Sequence, residues 1–265
     1  MQKQINGLAV YTYGNKKNTP IIFVHGFPLD NTMWKNQIKF LQKDYYCITY
    51  DVRGLGNSYV GDGQYTMEAY VWDLFSIINE LNLNKPVLCG LSMGGYISLR
   101  AVETNQSKFG GLILCDTKSE ADNDTGKLIL AFKINQINTK GIEHFAEEFL
   151  STVFFEDTIK NNSKLYNEFL EIAKSQNPIG VKGALIAMLS RTDTTSFLEK
   201  IKLPTLVICG AFDNLTPPVQ MRKLAEKIKN SEFSSIPFAG HMSPLENPSM
   251  VNDLISGFMK RKIQS

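Results

Sequence analysis

Val87-Leu88-Cys89-Gly90-Leu91-Ser92-Met93-Gly94-Gly95 is an apolar run that ends in Gly-x-Ser-x-Gly, and the segment after it, Tyr96 to Glu103, has helical spacing. A strand that turns sharply into a helix holds a serine oxygen at the turn clear of the backbone. Such a turn crowds its neighbours, so glycines at positions 90 and 94 let strand and helix approach closely. The helix that follows presents unpaired N–H groups and a partial positive charge at its start, both suited to a developing oxyanion. The pattern alone also fits a plain structural turn. The β run before it and the helix pattern after it point instead to a nucleophile.

Strand and helix patterns alternate outward from this stretch. Ile5-Asn6-Gly7-Leu8 sets Asn-Gly between two extended runs, a hairpin signal. Pro20-Ile21-Ile22-Phe23-Val24 is continuously apolar, as a strand buried on both faces must be, and ends in His25-Gly26-Phe27-Pro28. A helix pattern over Met33 to Leu41 leads to a β run over Tyr45 to Tyr50, and Thr66 can cap a helix reaching about Leu81. Gly111 to Cys115 is the next strand. The alternation predicts a mostly parallel sheet flanked by helices, with ligands beyond the C-terminal strand ends.

At Asp116 the alternation stops. From there to about Lys200 no strand pattern occurs, while Ile142, Phe145 and Phe149, then Leu165, Phe169 and Ile172, then Val181, Leu185 and Met188 have helical spacing. This predicts a core of residues 1–116 and 201–265 with a helical cap, residues 117–200, inserted after the sixth strand. A polar loop over Asp116 to Thr125 leads into it. The sheet resumes at Leu203 to Gly210, followed by a helix over Val219 to Ile228, a short strand over Phe233 to Ile236 and a closing helix from Leu245.

Composition narrows the function classes. Hydrophobic residues make up 43% and charged residues 20% of the 265, an ordinary globular balance. A net charge of +2 gives no reason to expect nucleic acid or a membrane surface as partner. No apolar run approaches the roughly 20 residues needed to span a bilayer, and the polar N-terminus lacks a secretory signal, so a cytoplasmic protein is expected. Cys47, Cys89, Cys115 and Cys209 each lie in or at the end of an apolar run, which predicts buried thiols rather than disulfides. Neither metal nor cofactor is implied, and oligomeric state is not indicated.

A serine hydroxyl needs a base, and histidine is the side chain suited to that task near neutrality. Of the three histidines, His25 sits in a loop beside the elbow, His144 inside a helix pattern, and His241 in a loop after the last strand. His241 is the best candidate. The acid that orients it is Asp213, after a buried strand and 28 residues earlier, with Asp116 as rival. Two N–H donors are needed for the oxyanion, and Met93 and Phe27 are the candidates, since Pro28 has no N–H. Leu29, Trp34 and Leu215 are expected to line an apolar pocket with Phe27 and Met93.

These motifs together resemble the α/β-hydrolase superfamily: His25-Gly26-Phe27-Pro28, Asp51-x-Arg53-Gly54-x-Gly56-x-Ser58, Gly90-Leu91-Ser92-Met93-Gly94-Gly95, Gly210-x-x-Asp213 and Gly240-His241. The order nucleophile, acid, base is also that of the superfamily. Leu29-Asp30-x-x-Met33-Trp34 and Arg191-x-Asp193 resemble the branch of 3-oxoadipate enol-lactonases, aryl esterases and haloperoxidase-like perhydrolases. Epoxide hydrolases and haloalkane dehalogenases share His-Gly-x-Pro but use an aspartate nucleophile, where this chain has Ser92. The resemblance implies a cofactor-free serine hydrolase of a small ester or lactone. Enol-lactone hydrolysis, carbon–carbon bond hydrolysis and perhydrolysis could use the same residues. With no basic cluster evident in the insertion, a generic esterase leads over an oxoadipate lactonase. The reading from a different class is a non-catalytic small-molecule receptor on the same fold.

Overall fold

The structure, a computed structural model, describes residues 1–264; Ser265, the last residue of the expected core, lies outside them. The Asn6-Gly7 pair forms the expected tight turn, both residues at positive φ, and joins β1 (Gln2–Ile5) to β2 (Leu8–Tyr13) with Ile5 opposite Leu8. β3 (Pro20–Val24), β4 (Tyr46–Tyr50), β5 (Val87–Leu91), β6 (Gly111–Cys115), β7 (Thr205–Gly210) and β8 (Ser231–Ile236) complete an eight-stranded sheet ordered β1-β2-β4-β3-β5-β6-β7-β8. Pairings are antiparallel from β1 to β4 and parallel from β4 onward.

β4, β5, β6 and β7 are buried at every residue, which explains their unbroken apolar runs: both faces of the sheet are covered. α1 (Lys35–Leu41) and α10 (Pro248–Lys262) pack together, and α2 (Met67–Glu80) and α3 (Met93–Asn105) form a second pair. Thr66 caps α2 through the Ala69 N–H at 3.1 Å. The expected first helix begins as a 3-10 turn, Asn31–Trp34, because Asp30 accepts the Thr32 N–H and starts a tighter turn. α8 (Pro218–Glu226) connects β7 to β8, and the short α9 (Ser243–Glu246) precedes α10.

Between β6 and β7 the chain forms only helices: α4 (Asp124–Val153), α5 (Glu156–Asn161), α6 (Ser163–Lys174), α7 (Pro178–Ser190) and a 3-10 turn over Thr195–Lys200. α4 packs on α6 and α7 and breaks at Gly141, whose φ of 87° interrupts the helix. All four cysteines are buried free thiols. Among the described residues, no helix is long and apolar enough to cross a membrane.

Trp34 is fully buried with its ring 5.2 Å from that of Phe23 on β3. Trp34→Ala should therefore lower unfolding free energy by about 3–5 kcal/mol in urea titrations.

Candidate active site

Ser92 sits at the reversal from β5 into α3 with φ 53° and ψ −114°. A non-glycine residue there is strained by about 1–3 kcal/mol, and only close packing holds it. The packing is visible at Gly94: a Cβ there would collide with the Val24 carbonyl and lie 2.9 Å from that of His25. At Gly90 a Cβ would collide with the Gly94 carbonyl. The Ser92 N–H donates to the Cys115 carbonyl at 3.0 Å, and its own carbonyl accepts from the Thr117 hydroxyl at 2.8 Å. Both bonds tie the turn to the end of β6.

His241 lies in the loop after β8, with Nε2 2.8 Å from Ser92 Oγ and Nδ1 2.8 Å from Asp213 Oδ2. Asp213, after β7, is held by the N–H groups of Leu215 and Thr216 on Oδ1 at 2.8 and 3.0 Å, and by the Thr216 hydroxyl on Oδ2 at 2.5 Å. Burial alone would raise its pKa, but the His241 charge and these hydrogen bonds outweigh burial and hold it below the usual carboxylate range. The chain Ser92–His241–Asp213 can thus pass the serine proton to a fixed imidazole and stabilise the imidazolium.

Asp116, the rival acid, does not reach His241. Its carboxylate accepts the Gly210 N–H at 2.7 Å and the Ser243 hydroxyl. Burial, reinforced by the Asp213 charge, raises its pKa well above the usual range, favouring the neutral acid. Asp116, Cys209 and Asp213 converge behind the site, but all three are already committed to protein hydrogen bonds. His25 is buried and accepts the Val52 N–H on Nε2 at 2.8 Å, so it holds a loop. His144 is surface-placed, 2.9 Å from Glu148 one turn along α4.

A residue the sequence reading missed is Glu246. One of its oxygens accepts the Gly240 and Met242 N–H groups at 2.9 and 3.2 Å, bracketing His241. The other accepts the Phe155 N–H at 2.8 Å and the Thr158 hydroxyl at 2.6 Å. Glu246 therefore braces the histidine loop against the helices between β6 and β7, and His241 N–H adds a bond to the Val153 carbonyl at 2.9 Å.

Phe27 follows β3, beside β5, and a Cβ on Gly26 would lie 3.6 Å from that of Ser92. Met93 is the first residue of α3. Neither the Phe27 nor the Met93 N–H donates to another group among the described residues, so both remain available to an oxyanion beside Ser92.

Ser92 and His241 line a cavity of about 190 Å³. Phe27, Tyr96 and Leu215 contribute from the loops and α3, and Leu130, Phe149, Leu185 and Met188 from α4 and α7. Leu29 and Trp34 are corrections. Both are fully buried in the cluster that contains Phe23 and Leu41: Leu29 follows the turn in which its N–H donates to the Gly26 carbonyl at 3.0 Å, and Trp34 ends the 3-10 turn, its ring against Phe23 of the sheet. A second correction concerns charge. Lys118, Lys133 and Arg191, far apart in sequence, meet on the cavity wall with Asp122. Arg191 donates to Asp122 and to the Glu120 carbonyl at 2.7 Å, while Asp193 accepts the Ala121 N–H at 3.2 Å. The Arg-x-Asp pair thereby pins the loop after β6.

Residues 19–248 match the family described as alpha/beta hydrolase fold. The chain superposes with TM-score 0.94 on a thermophilic esterase from Thermogutta terrifontis, solved with malate bound, at 34% identity and 99% coverage of both chains. It is 26% identical to 3-oxoadipate enol-lactonase 1 of Acinetobacter baylyi, over 97% of this chain and 95% of that protein. The enol-lactonase of Burkholderia xenovorans LB400 shares the fold with TM-score 0.91 at 23% identity, over 98% of this chain and all of that one.

A carboxyl with a depressed folded pKa contributes stability above its unfolded pKa and loses it as pH falls through the folded value. The stability advantage of wild type over Asp213→Asn should therefore shrink below about pH 4, read in urea melts from about pH 6 to about pH 3.

Proposed function

The chain belongs to the alpha/beta hydrolase family, and from that premise we propose that it is a serine hydrolase of small carboxylic esters or lactones, acting through an acyl-enzyme on Ser92. The observation that carries the proposal is the unbroken run of hydrogen bonds Ser92–His241–Asp213 at the wall of a cavity. Ser92 Oγ attacks the carbonyl carbon while His241 Nε2 takes its proton. Asp213 keeps the Nδ1–H tautomer in place and stabilises the imidazolium. The N–H groups of Phe27 and Met93 stabilise the oxyanion of the tetrahedral intermediate. His241 returns the proton to the departing alkoxide. It then takes a proton from water as the water attacks the acyl-enzyme, and returns it to Ser92 Oγ as the Ser92–acyl bond breaks and the acid is freed.

The cavity, about 190 Å³, is below the roughly 300–1,000 Å³ of drug-sized sites, which supports a small substrate. Residues 117–200 act as a cap in this reading, since α4 and α7 supply cavity wall opposite the loops of the sheet. An esterase and an enol-lactonase among the similar proteins support the ester and lactone class.

The proposal is tested with a fluorophosphonate and p-nitrophenyl butyrate. Wild type should gain one adduct by intact mass and turn over the ester, and Ser92→Ala should do neither. Asp213→Asn should lose about 10⁴-fold in kcat, the scale seen when a triad aspartate loses its charge in a serine protease. Asp116→Asn should keep most of the turnover, because Asp116 hydrogen-bonds to neither Ser92 nor His241 and an amide oxygen can still accept the Gly210 N–H. A folded wild type that takes no adduct would overturn the proposal.

A further inference from the structure

Four charged side chains line the cavity: Lys118, Asp122, Lys133 and Arg191. The single carboxylate is already shared. Lys118 Nζ lies 2.6 Å from Asp122 Oδ1, and Arg191 donates to Oδ2. Arg191 also donates to the carbonyls of Glu120 at 2.7 Å and Met188 at 3.1 Å, and its guanidinium lies 4.1 Å from the Tyr96 ring centroid. Lys133 has no such partner. Among the described residues it makes no ion pair and donates no hydrogen bond; its ammonium rests 4.4 Å from the Phe149 ring centroid. The Phe149 ring in turn lies 5.4 Å from that of Phe27, in the loop beside Ser92.

A lysine on a helix surface ordinarily extends its ammonium into water. Leu128 and Phe132 show that α4 has an exposed side in this turn. Lys133 is only half-buried but lies on the cavity wall, where partial loss of solvent outweighs attraction to Asp122 and pushes its pKa down. A cation removed from water without an anion is costly unless an anion arrives to pair with it. An aromatic face returns only part of that cost.

We propose that the substrate is an ester or lactone that also carries a carboxylate, and that Lys133 is the specificity-determining residue that binds this carboxylate. This rests on the hydrolase reading above and names its substrate class. The Lys118–Asp122–Arg191 cluster adds net positive charge to the same wall and leaves Lys133 as the donor still free for a ligand. Hydrolysis of such a substrate releases either a dicarboxylate or, when the carboxylate is on the alcohol half, a hydroxy acid.

The test pairs neutral and anionic substrates. p-Nitrophenyl butyrate against mono-p-nitrophenyl glutarate reads a carboxylate on the acyl half. Phenyl acetate against 4-carboxyphenyl acetate reads one on the alcohol half. Wild type should prefer the anionic member of at least one pair in kcat/KM. Lys133→Met should cut that preference by about 10- to 100-fold, mainly through KM, and Lys133→Arg should restore part of it. Glutarate binding by calorimetry reads the site without turnover and should weaken in Lys133→Met. No preference in either pair, an equal loss on both members of a pair, or glutarate bound equally by wild type and Lys133→Met would overturn the assignment. If p-nitrophenyl butyrate were not hydrolysed and no fluorophosphonate adduct formed, the hydrolase reading would fail. The calorimetry would still decide the anion site.

Discussion

The reversal at Ser92 constrains everything around it. The chain must leave a buried parallel strand and enter a helix within one residue, in a conformation that side chains seldom adopt. That is possible only because strand and helix are almost in contact, which excludes a Cβ at positions 90 and 94. The cost is repaid by the sheet: β5 lies between β3 and β6, and bonds from Ser92 to Cys115 and Thr117 anchor the turn. A side chain raised in this way projects where the loops after β3, β6, β7 and β8 converge, at the carboxyl ends of the strands.

The other parts of the site are tied to that point from two directions. Asp213 is fixed by its own turn and by Thr216, so the imidazole of His241 meets a rigid partner. Glu246 and the Val153 carbonyl join the histidine loop to the helices between β6 and β7. Helices that form part of the cavity wall therefore also hold His241. A change in their packing would reach His241 through the backbone, without contact with the side chains of Ser92, His241 or Asp213.

Much of this was legible in the sequence because strong local constraints leave strong local signals. Continuous apolar runs marked strands buried on both faces, Asn6-Gly7 marked the hairpin, and loop residues after strands picked out Ser92, Asp213 and His241, which the structure brings together. What could not be read depended on long-range packing. The expectation that Leu29 and Trp34 line the pocket fails because both pack into the core, Trp34 at the end of a 3-10 turn. Lys118, Lys133 and Arg191 are separated by up to 73 positions, so their convergence leaves no composition signal. The one local hint was Lys133 within the stripe Leu130, Ile134 and Ile137 of α4, a charge where helical spacing calls for an apolar residue. Glu246 resembled any acid near a helix start.

The central claim is that the carbonyl carbon of the substrate becomes bonded to Ser92 Oγ. Rapid acid quench during turnover of p-nitrophenyl butyrate, followed by peptide mass analysis, tests it most directly. The account predicts a butyryl mass on the peptide containing Ser92, appearing together with a burst of p-nitrophenol equal to the enzyme concentration when deacylation is slower than acylation. Turnover with the acyl group on a different residue would contradict it.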